Sequence, residues 1–109
     1  MTLREREAAP TLVFAALADD TRWEILTQLG AEDLSASALA DRLPVSRQAI
    51  AKHLAALEAA GLVERVPVGR EVRYRALGST LSAVGRRLDA IGAQWERRLA
   101  RIKEIAEDL

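Results

Sequence analysis

The 109-residue chain contains no cysteine and a single histidine, His53. Without thiols it has no disulfides, thiolate metal sites or cysteine nucleophiles. One histidine cannot build a multi-histidine metal centre within one chain. Aromatic side chains are scarce: Phe14, Trp23, Tyr74 and Trp95 are all there are. No apolar run approaches the ~20 residues that cross a bilayer. The start, Met1-Thr2-Leu3-Arg4-Glu5-Arg6-Glu7, has no signal-peptide core. A reducing, cytoplasmic setting without membrane contact is expected. Also missing are a glycine-rich phosphate loop, a serine with a histidine and an acid nearby, and a recognisable close pair of carboxylates. The sequence therefore excludes the common enzyme chemistries, and no catalytic residue and no cofactor are expected.

What is present is a helix-forming composition. Hydrophobic residues make up 50% and charged residues 29%, the balance of a globular chain. Alanine alone accounts for 21 positions and leucine is the next most common residue, and both are strong helix formers. A chain of this length buries roughly 65% of its unfolded surface, enough for one core. With no repeat and no linker, residues 1–109 read as one domain. The net charge is zero, with 16 basic and 16 acidic side chains, but they are unevenly spread. Residues 1–43 hold four basic and eight acidic groups, and residues 76–109 hold six and five. The middle segment, 44–75, holds six basic groups (Arg47, Lys52, Arg65, Arg70, Arg73, Arg75) against Glu58, Glu64 and Glu71. A local basic patch of this kind suits a polyanion.

Apolar spacing and capping residues divide the chain. Pro10 suits a first helical turn, followed by Leu12, Val13, Ala16 and Leu17 at helical spacing. Thr21 and Glu24 have capping-box spacing ahead of Trp23, Ile25, Leu26 and Leu29, with Gly30 as the expected C-cap. Ser35 or Ser37 can cap a short helix containing Leu39 and Ala40. After the break at Pro44-Val45, Ser46 is a good N-cap for a helix burying Ile50, Leu54 and Leu57 and ending at Gly61. The period then switches to two. Leu62–Val66 and Glu71–Ala76 read as strands around the turn Pro67-Val68-Gly69-Arg70, with Val72, Tyr74 and Ala76 on one face. From Ser79 or Thr80 the chain is helical to its end. The fold class is mainly α with a small β-hairpin, and the element order is that of a winged helix-turn-helix.

Four pieces carry a family resemblance: Phe14-Ala15-Ala16-Leu17-Ala18-Asp19-Asp20-Thr21-Arg22 followed by Ile25-Leu26, then Leu43-Pro44-Val45-Ser46, then His53-Leu54, then Ala60-Gly61-Leu62-Val63. In this order and spacing they resemble the ArsR family of bacterial repressors. The likeness covers residues 11–77, the expected DNA-binding core, and leaves 78–109 as a C-terminal dimerisation helix. In a winged helix-turn-helix the second helix of the motif enters the major groove. Its outward candidates here are Ser46, Arg47, Gln48, Ala51, Lys52 and Ala55. Arginine suits guanine, glutamine suits adenine, and Ala51 fits a thymine methyl. Lys52 and the helix N-terminus with Ser46 suit phosphates. His53 is a phosphate contact or a structural hydrogen bond rather than a metal ligand. Gly69 permits a tight wing turn and Arg70 can enter a narrow minor groove. Arg73 shares a strand face with Arg75 and can reach phosphate, although Glu64 and Glu71 can neutralise both.

On the last helix Leu77, Leu81, Val84, Leu88, Ile91 and Trp95 are spaced four, three, four, three and four, a heptad seam continued through Leu99 and Ile102. Gly78, Gly85 and Gly92 recur every seven residues beside it. Glycine costs about 1 kcal/mol in a helix interior, and small residues let helix backbones approach closely. Part of this stripe packs within the monomer, but the rest calls for a homodimer. The resemblance implies the same, with the first and last helices at the interface, so Leu12 and Phe14 join Leu81, Val84, Leu88, Ile91, Trp95 and Leu99. A two-fold dimer would read an inverted repeat in double-stranded DNA. Many ArsR-like repressors sense metals through cysteines near the reading helix, or through histidines and carboxylates on the last helix. This chain has neither set, since Asp89, Glu96 and Glu104 come without nitrogen or sulfur donors. It resembles a metal-independent branch. An inducer, if one exists, would bind at the dimer interface near Trp95 or Trp23. The rival reading is a winged-helix protein-interaction module that does not read DNA.

Overall fold

The computed structural model describes residues 10–109. The expectation about a signal peptide concerns Met1 to Glu7 and lies outside the described residues. Five helices and three strands follow in the order α1 (Pro10–Leu17), α2 (Asp20–Ala31), β1 (Leu34–Ser35), α3 (Ala36–Arg42), α4 (Arg47–Ala59), β2 (Val63–Val68), β3 (Glu71–Ala76) and α5 (Gly78–Glu107). The architecture is a winged helix-turn-helix with a long final helix. Among the described residues no helix is long and apolar enough to cross a membrane.

Most boundaries follow from their caps. The Ser46 hydroxyl accepts the backbone N–H of Ala49 at 3.1 Å, which sets the start of α4. Ser35, rather than Ser37, caps α3 by accepting from Ala38 at 3.1 Å. At the end of α4, Gly61 takes φ +74°. There the N–H of Leu62 donates to Leu57 and that of Gly61 to Glu58, the paired bonds of a Schellman motif. Two expected caps are different in the structure. Asp19, not Thr21, caps α2 by accepting from Arg22 N–H at 3.0 Å, because Asp19 stands in extended backbone just ahead of the helix whereas Thr21 already lies within its first turn. Gly30 stays within α2, and the helix runs on to Ala31 with Glu32 as its C-cap.

The wing is tighter than the sequence suggests. Pro67 and Val68 belong to β2, and the turn is the pair Gly69-Arg70, with Gly69 at φ +64°. Glycine first in a two-residue turn with positive φ matches the twist of the flanking strands. A third strand, unexpected from the sequence, extends the hairpin. Leu34–Ser35 pairs antiparallel with β3, giving the sheet order β1-β3-β2. Two residues are too short to show a period. Within β3 Tyr74 and Ala76 pack on the core, whereas Val72 is exposed because the hairpin runs past the body.

The core joins Val13 and Ala16 of α1, Ile25, Leu26 and Leu29 of α2, Leu34, Leu39, the Ile50, Leu54 and Leu57 face of α4, and Leu62 and Val63. α5 enters it through Val84, with Leu81 packed alongside. The helix begins at Gly78, and Thr80 does not cap it. Its hydroxyl donates instead to the carbonyl of Gly61 at 2.8 Å, while Leu77 N–H donates to Leu62. These bonds seat the base of α5 against the start of the wing.

Candidate nucleic-acid interface

With Ile50, Leu54 and Leu57 buried, helical geometry turns the other face of α4 outward. Ser46, Arg47, Gln48, Ala51, Lys52 and Ala55 are all exposed on it. Arg47 begins the helix, so its guanidinium and the free N–H groups of the first turn lie at one end. Gly69 and Arg70 form the tip of the wing, also exposed. A cleft of about 530 Å³ separates the start of α4 from the wing, with Arg47 and Arg70 both on its walls. Ser37 of α3 and Tyr74 of β3 line it too. Neither was expected from the sequence: Ser37 lies on the helix just before α4, and the β1–β3 pairing sets Tyr74, distant in the chain, beside the start of that helix.

Ion pairs divide the basic residues of the middle segment into two classes. Arg65 bonds Glu58 at 3.0 Å, Arg73 bonds Glu71 at 3.1 Å, and Arg75 bonds Asp33 at 2.7 Å with Glu64 at 3.9 Å. Arg47, Lys52 and Arg70 make no ion pair among the described residues, and all three lie on the reading-helix and wing surface. Arg75 donates from Nε and from its terminal nitrogen to Asp33. These hydrogen bonds hold the Asp33 carboxyl below its ordinary value and raise the Arg75 guanidinium. The arginine fastens the central strand β3 to the α2–β1 connection instead of standing free. The Arg73 pair is an exposed contact between neighbours on one strand, the kind that contributes little and can be exchanged for another anion.

His53 departs from the rest of the set. It is half-buried on the flank of α4, and its Nδ1 accepts from Arg22 Nε at 3.2 Å. Of its two expected roles, the structure supplies the hydrogen bond within the protein. Among the described residues, no group of three or more acidic or histidine side chains comes together where it could hold a metal ion.

The expected interface residues of the last helix also divide. Val84 is buried at 9% exposure and Leu81 packs beside it, so both serve the chain's own core. Leu88, Ile91, Trp95 and Leu99 are exposed, as are Leu12 and Phe14 on α1. Trp95 carries Arg98 over its ring at 5.8 Å. Among the described residues, a Cβ placed at Gly85 or Gly92 would meet no atom outside its own stretch of helix within 4 Å, so their packing does not demand either glycine.

A capped α4, a glycine-turned wing and three cations that make no ion pair among the described residues define a winged helix-turn-helix protein. A helix-turn-helix domain family matches residues 17–66. An ArsR-like transcriptional regulator from Rhodococcus sp. RHA1 has a solved structure with a TM-score of 0.81 and 70% sequence identity, over 88% of this chain and 91% of that one. The HTH-type transcriptional regulator Rv2034 of Mycobacterium tuberculosis is 34% identical over 99 residues, which is 91% of this chain and 90% of the relative. The solution structure of a homodimeric winged helix-turn-helix DNA-binding domain, Mb0332 from Mycobacterium bovis, matches with a TM-score of 0.61 and 27% identity over 82% of this chain and 80% of that one. The chain belongs to the ArsR family of transcriptional regulators.

Proposed function

We propose that the protein is a cytoplasmic homodimer that reads an inverted repeat in double-stranded DNA and represses transcription there. The observation that carries this reading is the sorting of charge: acids engage Arg65, Arg73 and Arg75, and leave Arg47, Lys52 and Arg70 free where helix and wing would meet a duplex. Arg47 and Gln48 read base edges, Ala51 packs on a thymine methyl, and Ser46 and Lys52 hold phosphates. Gly69 and Arg70 enter the minor groove. The cleft between Arg47 and Arg70 takes the sugar-phosphate strand, with the Ser37 and Tyr74 hydroxyls as further donors. Arg73 exchanges Glu71 for a phosphate, and His53 acts from behind the helix.

The second copy covers Leu12, Phe14, Leu88, Ile91, Trp95 and Leu99, whose exposure in the single chain is unexplained otherwise. The homodimeric state of the Mycobacterium bovis relative supports the same arrangement. Gly85 and Gly92 then serve the approach of the partner helix. Two reading helices related by a two-fold axis meet successive major grooves about 34 Å apart.

Selection of duplexes from a random library by the purified protein, at about 150 mM salt, tests the reading. One enriched inverted repeat is the expected result. Binding without a consensus, lost steeply as salt rises, would overturn sequence reading. Retention of no DNA would make the surface a protein-docking face instead.

A further inference from the structure

We infer that Arg22 is a positioning residue that ties the reading helix α4 to the dimerisation helix α1 through His53; the inference rests on the DNA-reading homodimer proposed above. Ile50, Leu54 and Leu57 hold α4 against the core, but apolar contact is non-directional and leaves the helix free to rock or slide by small amounts. Reading bases by paired hydrogen bonds tolerates little of that, since N–H···O bonds hold only over about 2.7–3.2 Å. A directional polar tie behind the helix supplies what the core does not.

The geometry of that tie is specific. Arg22 donates from Nε to His53 Nδ1 at 3.2 Å. Its NH1 donates to the carbonyl of Ala16 at 3.5 Å. Ala16 is in the last turn of α1, where carbonyls have no helical partner and a cation is favoured. The Arg22 backbone N–H is held by the Asp19 carboxylate at 3.0 Å, which caps α2. One half-buried side chain thus bridges α1, α2 and α4. The bridge requires a planar fork that donates in two directions, which lysine lacks. It also fixes the ring: a nitrogen that accepts carries no proton, so the neutral imidazole holds its hydrogen on Nε2. Because α1 carries exposed Leu12 and Phe14, the tie runs from the surface assigned to the second copy to the helix assigned to the bases.

His53 is the chain's single histidine, so its ring nitrogens give one unambiguous set of ¹⁵N signals. In the full-length protein the signals of the neutral ring should show the hydrogen on Nε2 and none on Nδ1, and Arg22→Ala should convert them to a mixture of tautomers. Arg22→Ala and His53→Ala should each weaken binding to the selected inverted repeat about tenfold, the size of one lost charge-assisted hydrogen bond. The dimer should persist in sedimentation, and the double variant should fall no further than either single one. Arg22→Lys should behave like Arg22→Ala. His53→Asn, whose Oδ1 can accept in place of Nδ1, should stay within about threefold of wild type. A ring spectrum unchanged by Arg22→Ala, additive losses in the double variant, or His53→Asn as weak as His53→Ala would each overturn the inference. The ring spectrum needs no DNA, so it decides the tie even if the wild-type protein selects no duplex, an outcome that would overturn the DNA-reading proposal alone.

Discussion

Val84 and Ile91 lie two turns apart on α5, yet the first is 9% exposed and the second 64%. The contrast extends to whole regions. Up to Val84 the chain buries or half-buries its large aliphatic side chains, Leu12, Val68 and Val72 excepted, on a core shared by α1 to α4 and the wing. Beyond it Leu88, Ile91, Trp95, Leu99, Ile102 and Ile105 continue a regular helical pattern and are all exposed. Both stretches obey the same periodicity, so amphipathic spacing alone does not say whether a face is used inside the molecule or outside it. The difference lies in where the helix ends: 30 residues extend about 45 Å, further than a small core can cover.

The largest expected effect comes from striking the inner region. Leu54, 1% exposed, sits at the centre of the core, and Leu54→Ala should destabilise the protein by about 2–5 kcal/mol through lost burial and a residual cavity. Denaturant unfolding measures this. Ile91→Glu should act the other way around, leaving the body folded while placing a charge in the proposed contact. Dimer dissociation, followed by sedimentation over a dilution series, should strengthen by about 2–4 kcal/mol, as for a hot spot. An Ile91→Glu chain that stays dimeric would remove the outer face of α5 from the interface.

Charge offers a second form of the same comparison, between groups satisfied within the chain and groups left for a partner. Arg47→Ala should reduce affinity for the selected repeat by about 1–3 kcal/mol and relax one position of its consensus. Lys52→Ala should weaken all duplexes alike and lower the salt slope by about 1. Arg65→Ala, which loses only an exposed pair with Glu58, should leave both quantities unchanged. Equal losses from Arg47 and Arg65 would mean that the ion pairs do not sort the cations by role.

Much of this was legible in the sequence, because the features that carry the fold are local. The Ser46 cap, the Ile50-Leu54-Leu57 face, the Gly61 terminus and the strands on either side of Gly69 each declare themselves within a few residues. What escaped the sequence is joined across long separations. Asp33 and Arg75 meet 42 residues apart, the two-residue strand β1 exists only by pairing with β3, and Arg22 finds His53 31 residues away. Tyr74 reaches the cleft by the same β1–β3 pairing. The caps of α2 were misplaced for a different reason. Asp19, Asp20 and Thr21 are consecutive candidates, and only the backbone decides which of them stands one turn ahead of a free N–H.

The Asp33–Arg75 pair gives the smallest effect and a pH signature. Asp33 is a carboxylate whose folded value lies below its ordinary one, chiefly through the hydrogen bonds from Arg75. A group lowered in the folded state binds protons more readily when unfolded, so it favours folding wherever the unfolded chain has lost that proton. Its contribution is therefore present in full above the ordinary carboxylate value and disappears as pH falls through the lower folded value. Asp33→Asn removes the titration and should flatten the acid limb of a stability-against-pH curve below about pH 4, with little change in the limb's shape above it. Asp19 has the same sign, held down first by the Arg22 backbone N–H that it caps, so some acid dependence should survive in Asp33→Asn and vanish further in the double variant with Asp19→Asn. Because Asp33 fastens β3 and not the reading helix, its loss should leave the affinity ratio between the selected repeat and random duplex unchanged at neutral pH. A fall in that ratio would mean that the β1–β3 edge positions the wing, and that the division between fastened and free arginines is less sharp than the ion pairs make it.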